Sequence, residues 1–178
     1  MRNIFINGSR GIGKSTLIQK LLADIDSIPV YGFFTKKEAA DENGDCSVFI
    51  HSANVVNRFY SEKNLIGTCK ECHGKAFVQT FESYGIQILK DIPEKSLVIM
   101  DELGFFESEA YNFQQRVKEI LASDCIVLAA IKDKPNKFLD ELKSDNNTDV
   151  FNIDLKNRDE LYFQIKPILQ KYIGKLIG

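Results

Sequence analysis

Eight residues near the amino terminus, Gly8-Ser9-Arg10-Gly11-Ile12-Gly13-Lys14-Ser15, constrain what this chain can fold into more than any other stretch. They follow a short apolar run from Asn3 to Asn7, which has strand character. They lead into Ser15-Thr16-Leu17-Ile18-Gln19-Lys20-Leu21-Leu22, whose apolar spacing is helical. Strand, glycine-rich turn and helix in that order match G-x-x-x-x-G-K-S/T in the setting its mechanism requires. The glycines let the backbone come close to a ligand without a side-chain clash, so several N–H groups can converge on phosphate oxygens, and the positive end of the following helix adds to that field. The expected nucleotide contacts are Gly8, Ser9, Arg10, Gly11, Ile12, Gly13, Lys14, Ser15 and Thr16. Lys14 is expected to reach the β- and γ-phosphates of a nucleoside triphosphate, and the Ser15 hydroxyl to ligate Mg2+.

A phosphate loop needs an acidic partner, and Leu97-Val98-Ile99-Met100-Asp101-Glu102 supplies one: an apolar strand that delivers two carboxylates at its carboxyl end, where ligands bind in open α/β sheets. Asp101 is the expected magnesium carboxylate, with an ordinary helix cap as the alternative. Glu102 is the expected general base that orients or deprotonates the attacking water, with a solvent-facing acid as the alternative.

The rest of the chain supports this setting. Cys125 to Ile131 is a second continuous apolar run, as expected for a strand buried on both faces of a parallel sheet. Helical spacing is expected over 76–92 with a bend near Gly85, over 109–122, over 137–143 and from about 158 to 173, and a short strand over 150–153. Strands over 30–35 and 46–51, separated by the turn Asp41 to Asp45, read as a hairpin inserted after the first helix, whereas 53–76 shows little periodicity and is assigned short strands or loop. The fold class is therefore α/β, a P-loop domain with a mainly parallel sheet flanked by helices. The expected organisation is one domain over 1–178, with a probable insert at 36–76. A formal charge of -2 gives no strong nucleic-acid signal, because such binding needs a basic surface. No stretch approaches the roughly 18 apolar residues of a membrane span, and four cysteines are too sparse for a disulfide scaffold, so a cytoplasmic protein with reduced thiols is expected.

Three further segments resemble one family, the thermophile-type nucleoside-triphosphatases that include the human cancer-related nucleoside-triphosphatase. Gly32-Phe33-Phe34-Thr35 is similar to the family's G-F-x-T, Asp101-Glu102-Leu103-Gly104-Phe105-Phe106-Glu107 to its D-E-I-G-x-x-E, and Asn157-Arg158-Asp159-Glu160-Leu161 to its N-R-D-x-L. The resemblance implies a RecA-like core and slow, magnesium-dependent hydrolysis of nucleoside triphosphates (ATP, GTP and others) to diphosphate and phosphate, with broad tolerance of the base. It carries Arg158 over as a nucleotide contact, the alternative being a helix-start ion pair with Asp159 or Glu160. It carries Glu107 over as support for Lys14 or the water, the alternative being an ordinary acid at a helix start. The chain departs from the family where many members have an arginine-rich hairpin: here stand Lys36-Lys37-Glu38 and an acidic turn, which leaves open any role those arginines carry.

Other signals compete. A kinase acting on a nucleotide or another small molecule uses the same loop and acidic strand, with 36–76 as an acceptor-binding insert, and a nucleotide-dependent binding module needs no fast turnover. Cys69-Lys70-Glu71-Cys72-His73 spells a haem attachment site but lacks an export signal. Cys69 and Cys72 have zinc-ligand spacing, with His51, His73 or Cys46 to complete a site, yet unpaired thiols are the simpler reading. Asn136-Lys137-Phe138-Leu139-Asp140 resembles a guanine-reading motif with its aspartate one residue late, and guanine specificity is not read from it. Paired phenylalanines 33/34 and 105/106 could stack a base, though packing is the expectation.

Overall fold

The computed structural model describes residues 3–25, 28–55, 57–70 and 73–177. Its centre is three parallel strands whose apolar runs are buried almost throughout: β1 (Asn3–Gly8), β6 (Leu97–Leu103) and β7 (Ile126–Lys132). β7 lies between the other two, with Ile4 opposite Leu128 and Val98 opposite Val127. β2 (Val30–Lys37) joins β6 in parallel and β8 (Thr148–Asn152) joins β1. β3 (Asp45–Ser52), β4 (Leu65–Lys70) and β5 (His73–Ala76) continue the sheet beyond β2 with antiparallel pairing, giving the order β5-β4-β3-β2-β6-β7-β1-β8.

Successive side chains on a strand point to opposite faces, so each central strand feeds two cores. Phe5, Val98, Met100, Val127 and Ala129 pack on one face with Phe113 and Val117 of α4 (Tyr111–Leu121) and Leu139 of α5 (Lys137–Lys143). Ile4, Ile6, Ile99, Leu128 and Ala130 pack on the other with Leu17, Ile18 and Leu21 of α1 (Lys14–Leu22) and Leu161, Ile165 and Leu169 of α6 (Arg158–Ile177). Each such fully buried side chain contributes about 1.5–3 kcal/mol. α6 outlasts its expected end near 173 and contains Pro167. That residue is exposed, so the carbonyl left without an N–H partner one turn earlier stands on the solvent side.

The expected helix over 76–92 is three pieces: α2 (Val78–Thr80), a π segment (Phe81–Gly85) and α3 (Ile86–Ile88). The bend anticipated near Gly85 is thus a π turn that lets the chain close on α4, where a Cβ on Gly85 would sit 3.0 Å from the Phe113 ring. Gly32 has a stricter reason. Its φ is 93°, and a Cβ there would meet the Ile99 carbonyl oxygen at 2.0 Å, so the seam between β2 and β6 admits only glycine.

The stretch 53–76, unreadable by periodicity, holds a 3-10 turn (Glu62–Asn64) followed by β4 and β5. What organises it is buried Asn64, whose Nδ2 donates to the carbonyls of Ile50 at 3.0 Å and Phe59 at 2.9 Å while its Oδ1 accepts from the Ser61 N–H at 3.0 Å. Among the described residues, no helix is long and apolar enough to cross a membrane.

Candidate active site

The turn from β1 into α1 closes with Gly13 at φ 114°, a left-handed conformation at the helix cap that favours glycine. Lys14 then begins the helix and folds back along the loop: it is 3% exposed, and its Nζ donates to the carbonyls of Gly8 at 2.8 Å and Ser9 at 2.9 Å. Arg10, on the loop, and Thr16, in the first turn of α1, are exposed.

β6 carries the two carboxylates. In its pairing with β7, Asp101 stands opposite Ala130 and Leu103 opposite Ile131, so Glu102 is the extra residue of a bulge and both acids can serve the same end of the sheet. The peptide joining them is cis. Ser15 Oγ donates to Asp101 Oδ1 at 2.9 Å, so two halves of the expected site, distant in sequence, are in direct contact. Asp101 is 2% exposed, and burial pushes its carboxyl up to about 6 against the opposing effect of the Ser15 hydrogen bond. Glu102 is held on both oxygens: Lys14 Nζ lies 3.1 Å from Oε2 and Lys132 Nζ 3.2 Å from Oε1. Its backbone N–H donates to Thr35 Oγ1 at 3.2 Å, which ties the bulge to the end of β2.

Glu107 lies on the loop that leaves β6. It is 2% exposed, accepts a hydrogen bond from the Gly104 N–H, and is pushed up to about 7 by burial, with Lys132 acting in the opposite direction. Its carboxylate therefore braces the loop leaving β6. The alternative, an ordinary acid at a helix start, is not met, because the next α-helix begins at Tyr111. Asn136, the decoy of a guanine motif, caps α5 by accepting from the Leu139 N–H at 3.2 Å and donates to the Gly104 carbonyl at 3.0 Å and to Ser108 Oγ at 3.1 Å. It is a second brace of the same loop.

Arg158 opens α6 on the far flank of the phosphate loop, lining a cavity of about 370 Å3 with Gly11, Gly13 and Thr16. Its Nε is 3.9 Å from Asp159 Oδ2, an exposed pair worth less than about 1 kcal/mol. The preceding loop is set by Asn157, which donates to the Asn152 carbonyl at 2.9 Å and accepts from the Asp154 N–H at 2.8 Å.

Sequence reading missed Lys132 and Thr35. Lys132 ends β7 and Thr35 stands two residues before the end of β2, and both line a cleft of about 530 Å3, which also takes in Arg10, Ser15, Glu102 and Phe106. The available signal for Lys132 was its place: a lysine ending the continuous apolar run of β7. The phenylalanines divide as packing predicts only in part, since Phe33 is core while Phe105 is 59% exposed at the cleft. Cys46 and Cys69 face each other across β3 and β4 as free thiols, and His51 is buried against the Tyr60 ring. No group of three or more potential ligands gathers for a metal among the described residues, and Cys72, needed for the zinc reading, lies outside them.

A family model described as NTPase matches residues 3–166. The nucleoside-triphosphatase THEP1 of Thermotoga petrophila is 32% identical, covering 94% of this chain and 92% of its own, and the mouse cancer-related nucleoside-triphosphatase homolog is 28% identical, covering 95% and 97%. In fold, the crystal structure of THEP1 from the hyperthermophile Aquifex aeolicus superposes with a TM-score of 0.67 at 23% identity, over 94% of this chain and 98% of that one. The match runs through the phosphate loop, the acidic strand end and the Asn157-Arg158-Asp159 turn together, and the chain belongs to the NTPase family, as its motifs led one to expect.

Proposed function

We propose that this P-loop enzyme hydrolyses the terminal phosphoanhydride of nucleoside triphosphates, with tolerance of the base, through Lys14, Ser15, Asp101 and Glu102. The observation that carries the assignment is the pair of contacts joining loop and acidic strand, Ser15 to Asp101 at 2.9 Å and Lys14 to Glu102 at 3.1 Å. Ser15 Oγ and the Asp101 carboxylate are hard oxygen donors of the kind magnesium takes, and the burial that raises the Asp101 carboxyl to about 6 is a penalty that a bound cation offsets, so the residues fit Mg2+. When bound, magnesium neutralises charge on the phosphate oxygens. The loop N–H groups and Lys14 hold the β- and γ-phosphates, Asp101 and Ser15 would hold the metal, and Glu102 receives the proton of the attacking water. The oxygen of water bonds to the γ-phosphorus, the bond to the β,γ-bridging oxygen breaks, and the electron pair leaves with the diphosphate.

Arg158 is proposed as a contact on the far flank of the loop, and residues 1–178 as one P-loop domain with 36–76 as its insert. A cytoplasmic location is proposed with it, where thiols such as Cys46 and Cys69 stay reduced. The test is phosphate release from ATP, GTP, CTP and UTP. Lys14→Ala is expected to lose nucleotide binding, and Glu102→Gln to keep binding while turnover falls by about 10²-fold or more. Wild-type turnover in Glu102→Gln would overturn the assignment of the base.

The cleft favours one second reading. It continues past the phosphate loop over Thr35, Lys37, Val48 and Cys69, which is more room than a water nucleophile needs. If phosphate leaves the triphosphate only when a small hydroxyl or phosphate acceptor is added, the enzyme is a phosphotransferase.

A further inference from the structure

Lys132 is the last residue of β7, the strand lying between β6, with its two carboxylates, and β1, with the phosphate loop. Its side chain is 26% exposed and held along its length. A Cβ on Gly104 would meet its Cδ at 2.6 Å, so the stem lies against that glycine, and its Nζ stands 5.5 Å from the centre of the Phe106 ring, a cation–π distance. The head group lies 3.2 Å from Glu102 Oε1, while Lys14 takes Oε2 at 3.1 Å. One carboxylate thus bridges two ammonium groups, and the cleft holding this arrangement also contains Ser15.

A carboxylate edge and a phosphoryl edge both present two oxygens to paired cations, and ammonium groups make charge-assisted hydrogen bonds to either. We propose that Lys132 is a catalytic residue, the intramolecular cation that meets the γ-phosphoryl oxygens. In the nucleotide-free chain Glu102 stands in for that group between the two lysines. When the triphosphate enters, Lys14 and Lys132 turn from Glu102 to the phosphate, and Glu102 is left free to take the proton of water. Water oxygen joins the γ-phosphorus as the bond to the bridging oxygen breaks, and the charge spreading over the equatorial oxygens is met from both sides within one chain. The other cations of the cleft suit this task less well. Arg10, Lys37 and Lys134 are exposed, and Arg158 stands on the opposite flank beside Asp159.

This inference rests on the hydrolytic reading, and its test separates the two. Lys132→Met and Lys132→Arg are compared with wild type for kcat, for KM, and for binding of a nucleoside diphosphate with aluminium fluoride, a mimic of the transferring phosphoryl group. Lys132→Met is expected to lower kcat by about 10²- to 10³-fold with KM changed less than about fivefold. It is also expected to abolish binding of the aluminium fluoride mimic while triphosphate binding persists, and Lys132→Arg is expected to restore part of kcat. Thermal unfolding verifies that each variant is folded, and Lys132→Gln replaces Lys132→Met if that variant is not. An unchanged kcat in a folded variant, or intact binding of the mimic, overturns the role of Lys132 alone. Absence of phosphate release by the wild type overturns the hydrolytic reading instead.

Discussion

The parallel half of the sheet and its antiparallel extension are built to different standards of burial. β1 is buried at all six positions and β6 and β7 at all but one each, whereas β4 is buried at two of six, and β2 becomes exposed as it leaves the parallel half. A strand covered on both faces must be apolar throughout, so its polar residues collect at its end. In this protein those ends carry Asp101, Glu102 and Lys132, and the loop that follows β1 brings Lys14 beside them. The extension spends its polar residues along its length and faces the same cleft with Lys37, Val48 and Cys69. On the proposed function the two regions divide the work: the parallel half sets the chemistry at the phosphates, and the extension shapes what else can stand beside them.

The strongest way to break that comparison is to strike β2 where it joins β6, since β2 is the strand on which the extension hangs. Gly32→Ala forces a Cβ against the Ile99 carbonyl at a left-handed φ, and a loss of about 4 kcal/mol or more is expected by denaturant unfolding. A loss below about 1 kcal/mol would mean that the seam is free to shift.

A smaller effect comes from the acids of the parallel half. Glu107 is raised from 4.5 to about 7 and Asp101 from 3.8 to about 6, both by burial first. Between roughly pH 4 and 7 the folded chain therefore holds more protons than the unfolded chain, and stability is greatest at the acid end and falls as pH rises. In metal-free buffer the share of the decline that belongs to Glu107, between 4.5 and 7, is expected to be on the order of 3 kcal/mol, and Glu107→Gln should remove it. Equal slopes for wild type and variant across that window would show that burial does not hold the Glu107 proton.

Within the extension, Asn64→Ala leaves the carbonyls of Ile50 and Phe59 without their side-chain donor, and about 2 kcal/mol should be lost. Turnover per folded molecule should stay within about twofold, because Asn64 touches nothing at the phosphates. A fall as deep as that of Glu102→Gln would dissolve the division between the halves. The smallest effect belongs to Arg158→Ala, where stability should move by less than about 0.5 kcal/mol and KM for the triphosphate should rise by roughly threefold. An unchanged KM would leave Arg158 as the opening of α6 and nothing more.

Legibility followed the same division. The three buried strands could be read from their apolar runs, and the loop and acidic pair from their spelling, because local sequence demands both. The turn Glu62–Asn64 and strands β4 and β5 could not. Their pattern is held by one buried asparagine reaching a neighbouring strand, and no periodicity encodes such a bond. Lys132 escaped for a similar reason: a lysine after an apolar run reads as a solvated strand end until β7 is known to lie between β6 and β1.

By itself, the sequence determined that a glycine-rich turn leads from β1 into a helix and that two acids stand near the end of β6, since glycines at special dihedrals and an apolar run followed by carboxylates are requirements of the backbone and of burial. Tertiary structure alone decided that Ser15 touches Asp101, that a bulge lets Glu102 face the same end of the sheet, and that Glu102 lies between Lys14 and Lys132. Those contacts depend on strand order and register, which arise from how two cores pack against one sheet rather than from any short stretch of residues.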